Sequence, residues 1–293
     1  MRTLGSLLST VLAPTIVVLL AASGPALAAA EPTAPQAASF SSSSAAVQDD
    51  DDDAALQPAE PDFRVVNLPT PMRLPRFKSN FTITHRFAGN LRRGTFANSA
   101  SRFFGIDEGA VVGFEYRFAV DRHLQAVAYR SAFNRTVQFH GKYDAIHQGA
   151  SVPLSISAIV SVEGTDNFQD DYAPAVSVSV GRTLGDVAAL YAVPTWVHNS
   201  AALSGDKLNT FFFGVGARGR ITPTVYLTAE ISPRLGGYAP GKAEFAFAFE
   251  KRAGGHMFQL NVANTSGTTF AQVARGGSPQ SLYLGFNLSR KFF

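Results

Sequence analysis

The chain has 293 residues, 46% hydrophobic, 11% aromatic and 16% charged, with 24 Phe, no Cys and a formal net charge of +3. Its mean hydropathy of +0.05 excludes a bundle of membrane helices, each needing about 20 consecutive apolar residues; the missing Cys excludes disulfides, thiolate metal sites and C-x-x-C-H haem attachment. A chain poor in charge and rich in Phe, yet not hydrophobic on average, is what strands facing lipid on one side and water on the other would give.

Residues 1–30 read as a cleaved signal peptide. Arg2 precedes an apolar run from Leu7 to Leu20, and the small-residue stretch Ala26 to Ala30 offers an A-x-A cleavage site. Residues 31–62 read as a disordered spacer. They carry Pro32, Pro35, Pro58 and Pro61, the run Ser41 to Ser44 and the acidic run Asp49 to Asp53, a composition unable to bury a core. The consecutive Asp lack the alternate spacing and the turn glycine of a calcium loop. Seven acids and only Arg2 precede residue 62, so the rest keeps 24 Lys+Arg against 15 Asp+Glu, a balance of +9. The tail is acidic and the body basic.

From residue 63 to 293 the pattern has a period of two. Phe81, Ile83, His85 and Phe87 alternate with Asn80, Thr82, Thr84 and Arg86. Val112, Phe114, Tyr116 and Phe118 alternate with Gly113, Glu115 and Arg117, and Phe245, Phe247 and Phe249 with Glu244, Ala246, Ala248 and Glu250. This half-buried strand signal predicts twelve strands: 76–87, 110–119, 123–132, 135–145, 152–162, 172–181, 186–197, 208–219, 223–233, 243–251, 255–263 and 281–293. Their lengths suit tilted membrane strands of about 9–11 residues. Tight turns such as 120–122, 182–185, 220–222 and 252–254 alternate with longer loops at 88–109, 163–171, 198–207, 234–242 and 264–280. The expected fold is therefore all-β: an up-and-down antiparallel transmembrane barrel with both termini at the short-turn, periplasmic side. A soluble β-sandwich would also alternate, but the strand count and the loop asymmetry favour the barrel.

On the inward alternation fall Lys78, Arg86, Glu115, Arg117, Lys142, Glu230, Glu244 and Glu250, the candidate lumen residues. Arg130 and Arg290 fall on the outward set near strand ends, where a charge facing lipid costs about 0–1 kcal/mol. Ser155, Ser157, Ser161, Ser177, Ser179, Gly214, Gly216, Ala246 and Ala248 are small inward residues that would leave room in a lumen. The loop cations Arg92, Arg93, Arg102, Lys207, Lys242 and Arg275 are candidate contacts for anionic lipopolysaccharide.

Three segments carry a family resemblance. They are His85-Arg86-Phe87-Ala88-Gly89-Asn90 with Phe103 to Ala110, Gly254 to Asn261 with Thr265 to Thr269, and Leu284 to Phe292. Over residues 76–293 the chain resembles a family of bacterial outer-membrane β-barrels known only as a domain of unknown function. The resemblance implies fold and location and supplies no catalytic residue. The terminal Phe292-Phe293 resembles the signal read by the outer-membrane assembly machinery, with Phe292 in register and Phe293 one residue beyond it.

Chemistry-bearing motifs are few. The histidines His85, His123, His140, His147, His198 and His256 form no chelating pair, so no metal or cofactor is expected. Gly214-Val215-Gly216 has no helix after it to receive a phosphate, and no nucleic-acid-binding module is recognisable. His198-Asn199-Ser200 with Asn209 has the spacing of outer-membrane phospholipases, which sets up a hydrolase as one alternative. The chain is otherwise read as a non-enzyme. The leading expectation is a passive pore or small-solute channel. The other alternative is a plugged structural barrel, or one docking a periplasmic partner through its acidic tail.

Overall fold

In a computed structural model, the structure describes residues 58–200 and 208–293. The signal peptide at 1–30, the spacer up to residue 57 and Lys207 lie outside the described residues.

Strands form where the period-two pattern runs. In chain order they are β1 (Ser79–Asn90), β2 (Ala110–Ala119), β3 (Leu124–Ser131), β4 (Val137–Ile146), β5 (Ser155–Gly164), β6 (Asp170–Leu184) and β7 (Ala188–Val197). There follow β8 (Thr210–Thr222), β9 (Val225–Ser232), the short β10 (Arg234–Gly236), β11 (Glu244–Ala253), β12 (His256–Ala263) and β13 (Tyr283–Phe292). Each pairs antiparallel with its neighbour. Twelve are barrel staves, and β10 is a brief addition beside β8. The ladder between β1 and β13, Ser79 opposite Phe292 and Arg86 opposite Gly285, closes the sheet on itself. All twelve expected strands are present. The first was expected from residue 76 but starts at Ser79, because a turn at Arg76 and Phe77, with Phe77 at φ of 63°, interrupts the extended chain just before it.

The exterior is apolar. Phe114, Tyr116, Phe139, Tyr143, Val160, Val176, Leu190, Leu227, Phe247, Phe249, Phe258 and Leu260 are exposed on the outward alternation. Arg130 and Arg290 do face outward near strand ends, where each finds a polar partner: Asn167 at 2.9 Å and His256 at 2.8 Å. Phe292 continues the outward register, whereas Phe293 packs against the buried group of Phe63, Met72, Leu74 and Ala119. The residue beyond the register is thus an inward contact.

The interior is filled, and this revises two sequence expectations. Pro58–Asp62, assigned to the spacer, are buried or nearly so, and the following stretch to Leu74 is buried with them. This segment is no strand of the wall. It turns tightly inside the barrel: the Val65 N–H donates to the Leu68 carbonyl at 2.8 Å and the Thr70 N–H to the Phe63 carbonyl at 2.9 Å. The connection between β12 and β13, expected as an outward loop, carries a helical turn at Phe270–Ala274 whose five residues are all buried.

An Arg at Phe247, an exposed position inside β11, should cost about 2–4 kcal/mol of stability in a bilayer. Urea unfolding in lipid vesicles measures this, and an unchanged midpoint would contradict the lipid-facing assignment.

Candidate functional site: a plugged lumen

The luminal segment, residues 58–75, forms a hairpin entering from the short-turn end. Near that end the Tyr226 hydroxyl donates to the Pro58 carbonyl at 2.9 Å. Buried backbone groups need partners, and the wall supplies them. The Glu230 carboxylate accepts the N–H groups of Val66, Asn67 and Leu68 at 2.9, 2.7 and 3.1 Å. The carbonyls are met by donors: Arg64 O by Arg218 at 2.6 Å, Val65 O by Gln259 at 2.6 Å, Val66 O by Asn287 at 3.0 Å and Pro69 O by Ser179 at 2.8 Å. Gln125 donates to the Met72 carbonyl at 3.2 Å, and Lys142 also reaches it.

Side chains of the hairpin complete the charge pattern. Asp62 accepts from Ser289 at 3.0 Å and faces Lys291 at 3.4 Å. Arg64 and Arg117 share one carboxylate, Glu115, with Arg117 Nη2 at 3.0 Å. Asn67 Nδ2 donates to Glu244 at 2.9 Å while its oxygen accepts from Arg86 at 2.9 Å. Arg218 is paired with Glu250 at 2.7 Å and Lys142 with Asp144 at 3.1 Å.

Apolar hairpin residues occupy the spaces left by small wall residues. A Cβ built on Gly214 would lie 2.7 Å from Leu68 Cδ2, and one on Gly216 3.1 Å from Val65. Val66 packs with Ala246, Ala248 and Ala263. The room expected from Gly214, Gly216, Ala246 and Ala248 is therefore taken by Leu68, Val65 and Val66. From the long-loop end the turn at Phe270–Ala274 comes down to meet the hairpin. Glu163 holds it, accepting from Thr269 Oγ1 at 2.8 Å and the Ala271 N–H at 3.1 Å. Thr268 joins the two elements, because its carbonyl accepts from Arg64 at 3.3 Å and its hydroxyl meets Tyr129 at 2.6 Å.

Seven of the eight lumen candidates lie buried on the inner face: Arg86, Glu115, Arg117, Lys142, Glu230, Glu244 and Glu250. Lys78 precedes β1 and is half-buried at its mouth. Sequence reasoning left out Asp144, Glu163, Arg218 and Lys291, all buried inside. The alternation could have found them; Arg218, for example, is in register with Gly214 and Gly216. Among the cations assigned to lipopolysaccharide, Arg92, Arg93 and Lys242 are exposed. Arg102 is engaged by Glu108 and by the carbonyls of Asn98 and Arg93. Arg275 departs from that assignment. It is partly buried, with Nε donating to the Ser200 carbonyl at 2.6 Å, because its loop folds inward.

The hydrolase triplet is only partly assembled. His198 Nδ1 and Asn209 Oδ1 are 2.6 Å apart. Asn199, however, has φ of 59°, and this breaks the alternation. Ser200 turns inward, fully buried, where its hydroxyl meets Thr210 at 2.6 Å and the Leu208 carbonyl at 3.1 Å. A nucleophile needs its base within hydrogen-bond reach, and His198 stands on the outer, exposed side.

Glu60 sits buried in the hairpin, and burial raises its carboxyl from 4.5 to about 7 against the pull of Lys142, Arg218 and the Tyr191 hydroxyl. In an undocked hairpin it would titrate near its ordinary value. Docking therefore carries no penalty below about pH 4.5 and an increasing one up to about pH 7, of up to about 3 kcal/mol. Hydrogen exchange of residues 58–75 should accelerate between pH 5 and 7 beyond the intrinsic rate change, and Glu60→Gln should abolish that excess. Glu230→Gln offers an NH2 group to backbone donors. It should loosen the hairpin by about 1–3 kcal/mol, read as faster exchange at Val66, Asn67 and Leu68 with the wall unchanged.

Comparison with known proteins bears on the barrel. Residues 62–292 match a family described as a membrane-bound beta barrel domain, DUF5777. A search of curated protein sequences gives no match. Among solved structures, the KdgM porin aligns with a TM-score of 0.48 at 7% identity, covering 73% of this chain and 99% of that one. An outer-membrane channel from Pseudomonas putida F1 gives 0.46 at 10% identity, covering 75% and 97%. The outer-membrane phospholipase A of Escherichia coli gives 0.42 at 7% identity, covering 75% and 91%. Such values say nothing of activity. The family match spans the hairpin from Asp62 as well as the wall, and the chain belongs to the DUF5777 family of membrane-bound β-barrel domains.

Proposed function

We propose that this protein is an outer-membrane channel whose lumen is closed by its own N-terminal hairpin, with both termini on the periplasmic side. The observation that carries this reading is the polarity of the contact between hairpin and wall. Val66, Asn67 and Leu68 rest on a carboxylate, and Arg64, Asp62 and Asn67 meet charged or amide side chains of the staves. Such groups can exchange their partners for water, at a net cost of about 1.5–3 kcal/mol for each hydrogen bond to a charged group. A permanently filled barrel would be at least as stable with apolar residues at these positions. A lining of Arg86, Glu115, Arg117, Glu230, Glu244 and Glu250 suits a lumen that is wet in another state.

The hairpin also lies at the right place in the chain. It follows the acidic tail that includes Asp49 to Asp53, so a periplasmic partner gripping that tail would pull directly on the closing element. The passive pore expected from the sequence becomes, in this reading, a gated one.

Single-channel recording in planar bilayers tests it. The full chain should be mostly closed, and a variant lacking residues 31–75 should conduct in steps. Full-length Glu230→Gln, which keeps the hairpin, should open more often than the parent. Heat-modifiable mobility confirms that each variant is folded. Folded variants that never conduct would overturn the channel and leave a permanently plugged structural barrel.

A further inference from the structure

The hairpin and the wall enclose a small internal cavity of about 20 Å³, lined by Arg64, Arg117, Gln138, His140, Thr268 and Phe270 among others. Its volume exceeds the roughly 10–15 Å³ that one water molecule requires. Three observations converge on it. His140 is only 8% exposed and neither ring nitrogen has a hydrogen-bond partner among the described residues. Arg117 is 2% exposed and its Nε is likewise unpartnered, although its two terminal nitrogens are occupied by Glu115 and Gln125. Finally, the two guanidinium groups of Arg64 and Arg117 share the carboxylate of Glu115 as their ion-pair partner.

Buried donors without partners require an explanation, and a bound water or ion is one that fits a cavity of this size. The other charges nearby are already engaged. Lys142 is paired with Asp144 at 3.1 Å, and Glu163 accepts from Gln138, Thr269 and the Ala271 N–H. The edge of the Phe270 ring, 6.1 Å from the His140 ring between centroids, closes one side with apolar surface. Two arginines, an imidazole and an apolar lid form a site that favours a compact anion of single charge. A tetrahedral dianion is too large for a cavity of about 20 Å³.

We propose that this cavity binds a small monovalent anion of halide size, held by Arg117 and His140 and bridged to the hairpin through Arg64. Because Arg64 belongs to the hairpin and Arg117 and His140 to the wall, the anion ties the closing element to the barrel. The anion site stands whether or not the lumen conducts. The consequence that halide favours the closed state rests on the gated reading proposed above.

Crystals of the full-length protein grown in bromide test the site by anomalous scattering. The expected result is a bromide peak in the cavity within contact distance of Arg117 Nε, lost in His140→Phe, whose ring fills the space. His140→Leu serves as a second variant should the phenylalanine perturb folding. Density for water alone, with no anomalous signal, overturns the proposal, as does a peak that persists unchanged in both variants. Replacing chloride by gluconate at constant ionic strength should speed hydrogen exchange of residues 58–75 severalfold in the parent and leave it unchanged in His140→Phe. Equal exchange in both salts, with bromide bound, overturns the tie to the hairpin alone. Conductance of the variant lacking residues 31–75 is read separately and bears only on the channel.

Discussion

A bilayer core offers no water to an unpaired strand edge, so twelve staves hold together there only if the first meets the last. The ladder of β1 and β13, from Ser79 opposite Phe292 to Arg86 opposite Gly285, makes that closure. Everything else follows from it. Closure divides each strand into a lipid face and an enclosed face, and it creates an interior whose polar groups must find partners among themselves, in water or in inserted chain. Here inserted chain does it.

Two insertions meet inside. The hairpin brings backbone N–H groups to Glu230 and takes donors from Arg218, Gln259, Asn287 and Ser179 onto its carbonyls. The turn at Phe270–Ala274 hangs on Glu163. Thr268 and Arg64 connect the two. Wall glycines and alanines accept Leu68, Val65 and Val66, so the small residues and the buried charges of the staves serve the same object. The arrangement is well packed, yet it is held chiefly by groups that water can also satisfy. In the gated channel proposed above, this is the contact that is made and broken.

The barrel was legible because its physics is local. Phe81, Ile83, His85 and Phe87 repeat every second residue, and outward and inward positions are then fixed along the whole strand. The same rule correctly turned Glu230 and Arg117 inward and Arg130 and Arg290 outward. The hairpin was not legible, although its composition held a hint. Phe63, Val65, Val66, Leu68, Met72 and Leu74 are too apolar for a spacer, and Pro69, Pro71 and Pro75 forbid a regular stave. An apolar segment broken by proline and placed just before a barrel is consistent with an inserted plug, but nothing in its spacing says that it turns at Val65–Leu68.

The sequence by itself determined the wall: strand number, the inward and outward alternation along each stave and the lipid face, since a period of two is a property of neighbouring residues. Only the tertiary structure decided what fills the lumen. Partners such as Asn67 and Glu244, or Arg64 and Thr268, lie far apart in the chain, and their meeting depends on the curvature of a closed sheet. It also decided that Ser200 turns away from His198, through one left-handed residue at Asn199 that no alternation foretells. The few charges, the many Phe residues and the near-zero mean hydropathy thus belong to a barrel with an apolar lipid face, charged loops, and an interior whose charges surround an apolar and hydrogen-bonding segment of its own chain.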